Sequence, residues 1–174
     1  MRSLCAGEVR LCRQVFGGSI DYDRVRVYAR GYFPWLRHIA MAPNGSLYFP
    51  GRGGLYAGDF SQASPRLQLL FVHEMTHVWQ CQHGYRLRLA ALCLLAQGGY
   101  GWRDAYAYPQ QPGAEFKDFN FEQQAELVSH YYGAAVLGLP ALQPGLPWLQ
   151  AVLQGFLADP GDKRLLPVSR RLAT

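Results

Sequence analysis

The sequence predicts an α+β fold, mostly helical, with a small antiparallel sheet near residues 24–50 and one helix carrying clustered histidines. Three observations lead there. Apolar residues recur at helical spacing in several segments with clear start and stop signals. Strand-like alternation is confined to the stretch between Asp21 and Pro50. The run "LLFVHEMTHVWQCQH", Leu69 to His83, sets three histidines and a glutamate into an otherwise apolar helix.

The elements follow in order. "SLCAGEVRLCRQVF", residues 3–16, has an apolar side made by Leu4, Val9, Leu11, Cys12 and Val15, and a Gly pair stops it. "DYDRVRVYAR" alternates as a strand does. Asn44–Gly45, between "IAMAP" and "SLYF", is a strong hairpin signal, so residues 24–50 read as a small antiparallel sheet. Ser64 and Pro65 start the next helix, which runs to about Gln82 and ends at Gly84. A further apolar helix spans about residues 85–97, and residues 98–119 read as a long ordered loop. Asn120 caps another helix, with Gln123 completing a capping box, and this helix runs to about Gly138. "PWLQAVLQGFLAD" reads as a last helix before a basic tail.

The bulk properties narrow the function classes. The 174 residues suit a single domain, 1–174, with a real core, and 49% of them are hydrophobic. The net charge is +5, and every basic residue except Lys117 and Lys163 is arginine. These arginines are scattered, with "RLRLA" and "KRLLPVSRR" the densest spots. The pattern suits an acidic partner or an anionic envelope and points away from nucleic acid. Cys5, Cys12, Cys81 and Cys93 form no C-x-x-C pair, so they read mostly as buried thiols. Glu8, Arg10 and Arg13 interrupt the N-terminal apolar residues. The reading is therefore synthesis in the cytoplasm without a signal peptide, and no membrane span.

The chemistry lies in His73-Glu74-Met75-Thr76-His77. Histidines four apart on a helix project from one face, one turn apart, so both can grip one ion. Glu74 is placed to take a proton from a metal-bound water. Zinc would lower the pKa of that water, and the nucleophile so formed would attack a polarised carbonyl. A core helix normally avoids two histidines and a glutamate, because buried polar groups need partners.

Three residues compete to be the third ligand. His83 has the spacing of the long metzincin motif, but Gln80 stands where that motif needs its turn glycine. The only methionines, Met1, Met41 and Met75, leave no downstream Met-turn. Glu122 lies in the first turn of the helix that Asn120 caps, where a carboxylate is favoured. Glu126 follows one turn later on the same face. The favoured reading gives the metal to Glu122 and lets Glu126 accept a proton from the free nitrogen of a histidine ligand. The reverse assignment stays open. His130, another turn along, is a candidate catalytic donor to the developing oxyanion. Tyr106, Tyr108, Tyr131 and Tyr132 are candidates for the same task.

The H-E-x-x-H helix followed by a helix bearing E-x-x-A-E resembles the gluzincin pattern, with Glu126 where many such enzymes have Asp. "LCRQVFGGSIDYDRVRV", "MAPNGSLYFP", "LFVHEMTHVWQ" and "FNFEQQAELVSHYY" together resemble the small zincin domains of type VI secretion VgrG- and Rhs-associated effectors, which are related to contractile-injection-system metallopeptidase domains. The resemblance covers roughly residues 4–135. It implies a zincin-like fold and a zinc metallopeptidase acting as a secreted bacterial toxin. His73, His77 and Glu122 would hold Zn2+, and Glu74 would be the general base. It implies a protein or peptide substrate, delivery by a dedicated machine into a target cell, association with VgrG or Rhs proteins, and a cognate immunity protein. The alternatives are a cell-wall peptide amidase or endopeptidase using the same metal residues, or a zinc-stabilised binding module without turnover.

Overall fold

The structure is a computed structural model and describes residues 1–35, 37–96 and 105–168. A short strand, β1 (Arg2–Ser3), leads into helix α1 (Ala6–Phe16). Glu8, fully buried in the first turn of α1, accepts the N–H of Cys5 at 2.9 Å. It also takes two guanidinium N–H groups of Arg2, each at 2.7 Å, and the N–H of Phe60 at 3.0 Å. One carboxylate thus ties the first strand, the first helix and the 3-10 turn Phe60–Gln62 together. Gly17, at φ 54°, lets the chain leave α1 by a backbone conformation that favours glycine.

Strands β2 (Arg26–Tyr28) and β3 (Leu47–Tyr48) complete a three-stranded sheet of order β1-β2-β3. The pairing corrects the expected all-antiparallel sheet. β1 and β2 are antiparallel, but β2 and β3 are parallel, with Val27 opposite Leu47 and Tyr28 opposite Tyr48. Asn44–Gly45 does turn the chain, with Gly45 at φ 79°. The arm before that turn contributes only Met41, which exchanges N–H···O bonds of 3.0 and 2.9 Å with Tyr48. Residues 29–35 and 37–40 form no strand between these segments, and β2 meets β3 running the same way.

The next helix, α2 (Pro65–Gln82), has Pro65 in its first turn and is followed by Gly84 at φ 96°. It packs against α1, β3 and the helices that follow, and the ten residues from Phe71 to Gln80 are all buried. Helix α3 (Leu87–Ala96) comes next. The expected loop at 98–119 is seen from residue 105, with a 3-10 turn at Phe116–Asp118; its portion 98–104 lies outside the described residues. Helix α4 (Phe121–Tyr131) starts as expected. Asn120 accepts the N–H groups of Glu122 and Gln123 at 2.9 Å, and Gln123 accepts the N–H of Asn120 at 3.1 Å. A π-helical turn, Tyr132–Val136, prolongs it. The expected last helix is two short ones, α5 (Leu146–Val152) and α6 (Gln154–Ala158). The end of the basic tail, from Ser169, lies outside the described residues.

Two aromatic groups fill the core around α2. Trp79 packs on Phe116 and Phe156, and Phe156 on Phe16; the Trp79 indole N–H donates to the Pro160 carbonyl at 2.7 Å. Phe71 stacks on Phe60 at 4.8 Å, with Phe49 beside it. The four cysteines are free thiols; Cys12 is buried, Cys5 and Cys81 are half-buried, and Cys93 is exposed. Among the described residues no helix is long and apolar enough to cross a membrane.

Because Glu8 is buried and answered by Arg2 and two backbone N–H groups, Glu8→Ala is expected to destabilise the fold by about 3 kcal/mol. Urea unfolding monitored by circular dichroism checks this. A loss below about 0.5 kcal/mol, the range of an ordinary surface substitution, would contradict it.

Candidate metal centre

His73 and His77 stand one turn apart on α2, with ring centroids 4.9 Å apart and planes nearly perpendicular. Helix α4 crosses α2 so that Glu122, set in its first turn by the Asn120 cap, faces both rings. The Glu122 Oε2 atom lies 3.3 Å from His73 Nε2 and 3.1 Å from His77 Nε2. All three side chains are buried, and one ligand atom from each lies within 4.8 Å of the others.

The other ring nitrogens are already engaged. His77 Nδ1 is 2.9 Å from Gln80 Oε1. The Gln80 amide donates to the Phe121 carbonyl and to Gln124 Oε1, each at 3.0 Å. Gln124 in turn donates to the carbonyls of Phe116 and Leu165 at 2.9 Å. His73 Nδ1 lies 3.3 Å from Glu126 Oε1. Both imidazoles therefore carry their proton on Nδ1 when neutral and aim the Nε2 lone pair at the same point.

Electrostatics reinforces this donor set. Burial alone would raise the Glu122 carboxyl, but His77 and His73 outweigh it and hold it well below the usual carboxylate range. Burial alone would lower His73, but Glu122 and Glu126 outweigh it and push it up to about 10. Glu74 goes the other way: burial raises it, against the pull of His77 and His73. Its Oε2 is buried and has no hydrogen-bond partner among the described residues. A lone buried carboxylate oxygen beside two imidazoles and a second carboxylate fits a site that receives a divalent cation and a polar ligand.

A second chain of contacts lies behind Glu126. His130 Nε2 is 3.2 Å from Glu126 Oε2, and the Tyr108 hydroxyl reaches His130 Nδ1 at 2.5 Å. Burial pushes the Tyr108 phenol up to about 12, so it remains a donor, and its ring stacks on Trp148 at 5.7 Å. His130, expected as a catalytic donor, thus has both ring nitrogens in use. His83 points away, with Nδ1 on the Trp79 carbonyl at 2.9 Å. Tyr132 donates to Gln68 at 2.7 Å. Tyr106 lies over the site, its ring 6.1 Å from that of His73. Gln80 and Gln124 were missed as site residues. The signal for Gln80 was its position three residues after His77, on the same helix face.

Two features bear on substrate access. Tyr48 spends both its N–H and its carbonyl on Met41, so a peptide strand cannot add to the sheet at that residue. A groove does run between α3 and residues 109–114, with Leu89, Cys93, Pro109 and Phe121 among its walls. The Phe121 ring is 5.8 Å from that of His77. A second acid and thiol group, Cys5, Glu8 and Asp59, is already committed to Arg2, to backbone N–H groups and to Ser61.

A His-Glu-x-x-His helix with a glutamate ligand from the following crossing helix, on this α+β scaffold, defines a zincin-like metallopeptidase site of the gluzincin type. No family model matches the chain. The chain is 44% identical over 132 residues, 75% of its length, to the type VI secretion system spike protein VgrG2b of Pseudomonas aeruginosa, and spans 13% of that protein. The solved effector domain of Pseudomonas aeruginosa VgrG2b superposes with a TM-score of 0.73 at 38% identity, over 88% of this chain and 82% of that one. The chain belongs to the family of VgrG2b effector domains.

Since Gln80 holds the tautomer of His77, Gln80→Ala is expected to weaken zinc binding about 10- to 100-fold. Competition with a chromophoric chelator measures it. Unchanged affinity in a folded variant would show that Gln80 only packs.

Proposed function

We propose that this chain is a zinc-dependent peptidase that works as a toxin delivered by a type VI secretion apparatus, and that its 174 residues fold as one unit. The observation that carries the reading is the unpartnered Oε2 of Glu74 beside the converging His73, His77 and Glu122. Zinc held there would supply Lewis acidity, to acidify a water and polarise a carbonyl. His73, His77 and Glu122 would hold the ion. Among the described residues neither His83 nor His130 turns toward it, which argues against a closed structural site.

Glu74 takes the proton of the attacking water at Oε2 and passes it to the departing amide nitrogen. Burial raises its pKa above the ordinary carboxylate value, which favours its holding a proton between the two transfers. Glu126 accepts the Nδ1 proton of His73 and fixes that ring. His130 and Tyr108 stand behind Glu126 as positioning residues. Tyr106, close to His73 and pushed up by burial and then by the nearby carboxylates, keeps its proton and is the donor we assign to the carbonyl oxygen in the transition state.

The groove that passes Phe121 supports an extended peptide segment as substrate. Kinship with a spike protein's effector domain supports delivery in association with a VgrG protein, and action in a target cell where a producer needs a cognate immunity protein.

Glu74→Gln is expected to retain one zinc per chain while peptide hydrolysis falls by a factor of about 10² to 10⁴. Metal analysis and turnover of a fluorogenic peptide library, on the same samples, check it. Full turnover by the variant would overturn Glu74 as the base. Toxicity that persists in target cells with turnover lost would overturn proteolysis as the harmful activity.

A further inference from the structure

The positive charge of the chain is not spread evenly. Residues 24–58 contain Arg24, Arg26, Arg30, Arg37 and Arg52 and no aspartate or glutamate. Three of these, Arg30, Arg37 and Arg52, are exposed and line one shallow concavity of about 250 Å3. Among the described residues none of the three forms an ion pair. A group of like charges with no counterion partner on the protein is a site for an external anion.

The same loop exposes large apolar side chains. Trp35 is 72% exposed, Ile39 52% and Phe33 37%. Phe33 and Trp35 stack with centroids 5.1 Å apart. This pair is built on firm ground: Tyr32 meets Phe33 edge-on at 4.8 Å and Tyr48 at 5.0 Å, and Tyr48 stacks on Tyr28 at 4.7 Å. Arg30 lies over the Tyr28 ring at 5.3 Å. The aromatic series therefore runs from the sheet, at β2 and β3, out to solvent.

We propose that this surface docks on a membrane rich in anionic phospholipid. Guanidinium groups pair with headgroup phosphates, and Trp35, Phe33 and Ile39 enter the interfacial layer, where amphipathic aromatic rings are favoured. The contact is peripheral, since among the described residues no helix can span a bilayer. It uses none of the residues assigned to the metal centre. It would hold the peptidase against the surface at which membrane-proximal substrates are found.

Sedimentation of the 174-residue protein with phosphatidylglycerol-containing vesicles, against pure phosphatidylcholine vesicles, tests this. Binding is expected to the anionic vesicles, to weaken as salt is raised, and to be absent on the neutral ones. Changing Arg30, Arg37 and Arg52 together to Gln is expected to lower partitioning on the order of 100-fold, at roughly fivefold per arginine. Trp35→Ser with Phe33→Ser is expected to lower it at least about tenfold through lost interfacial burial. Zinc content and peptide turnover should stay at wild-type levels in both variants, so this test and that of the metal centre fail separately. Equal binding to neutral vesicles, no binding to anionic vesicles, binding only to a soluble acidic polypeptide, or an arginine variant that binds as wild type would each overturn the proposal.

Discussion

A helix buried on every side can carry ionisable residues only if something answers each of them. From Phe71 to Gln80, α2 has no exposed position, yet it holds His73, Glu74, Thr76, His77 and Gln80. Unanswered polar groups at such depth cost several kcal/mol each. The rest of the molecule supplies the answers. Thr76 bonds back to the Val72 carbonyl at 2.9 Å, Gln80 serves His77 within the helix, and α4 brings Glu122, Gln124 and Glu126 across. That requirement fixes where α4 must cross, and the Asn120 cap sets the rotation at which its first turn arrives. One carboxylate oxygen, on Glu74, is left over among the described residues, and it is the atom to which the proposed mechanism gives the proton.

The same logic explains the layered character of the site. Glu122 meets the Nε2 atoms, Gln80 and Glu126 meet the Nδ1 atoms, the Phe121 carbonyl and Gln124 stand behind Gln80, and His130, itself held by Tyr108, stands behind Glu126. Each shell restrains the next, so neither imidazole can rotate without breaking a buried contact. Preorganisation of this kind is what lets a metal hydrolase avoid reorganising its polar groups during reaction. The arginine and aromatic surface belongs to a different part of the chain, around β2 and β3, and β3 packs on α2, the helix that carries the centre's histidines.

Much of this was legible in the sequence. His73, Glu74 and His77 could be read because their spacing matches the helix period and their polarity conflicts with the apolar flanks. Glu122 was legible through Asn120, whose cap put it in a first turn; Glu126 followed from the helix period. The sheet was less so. Asn44–Gly45 correctly signalled a turn, but the partner of β3 beyond that turn is the distant β2, and parallel pairing leaves no short-range mark. The last helix reads as one because nothing at Leu153 announces the break. Gln80 and Gln124 escaped notice because an amide's role in a buried network depends on which elements cross, which periodicity does not encode. From the sequence His130 reads as a donor to the oxyanion, because its contacts to Glu126 and Tyr108 depend on a loop whose course only the structure gives.

The central claim is that a buried His-His-Glu cluster holds zinc with one position left open. Diffraction from zinc-loaded crystals at the zinc absorption edge tests it most directly. The account predicts one anomalous peak bonded by His73 Nε2, His77 Nε2 and the Glu122 carboxylate, with a water as the remaining ligand beside Glu74. A peak ligated by His83, His130 or Glu126, or one closed by a fourth protein side chain, would contradict it.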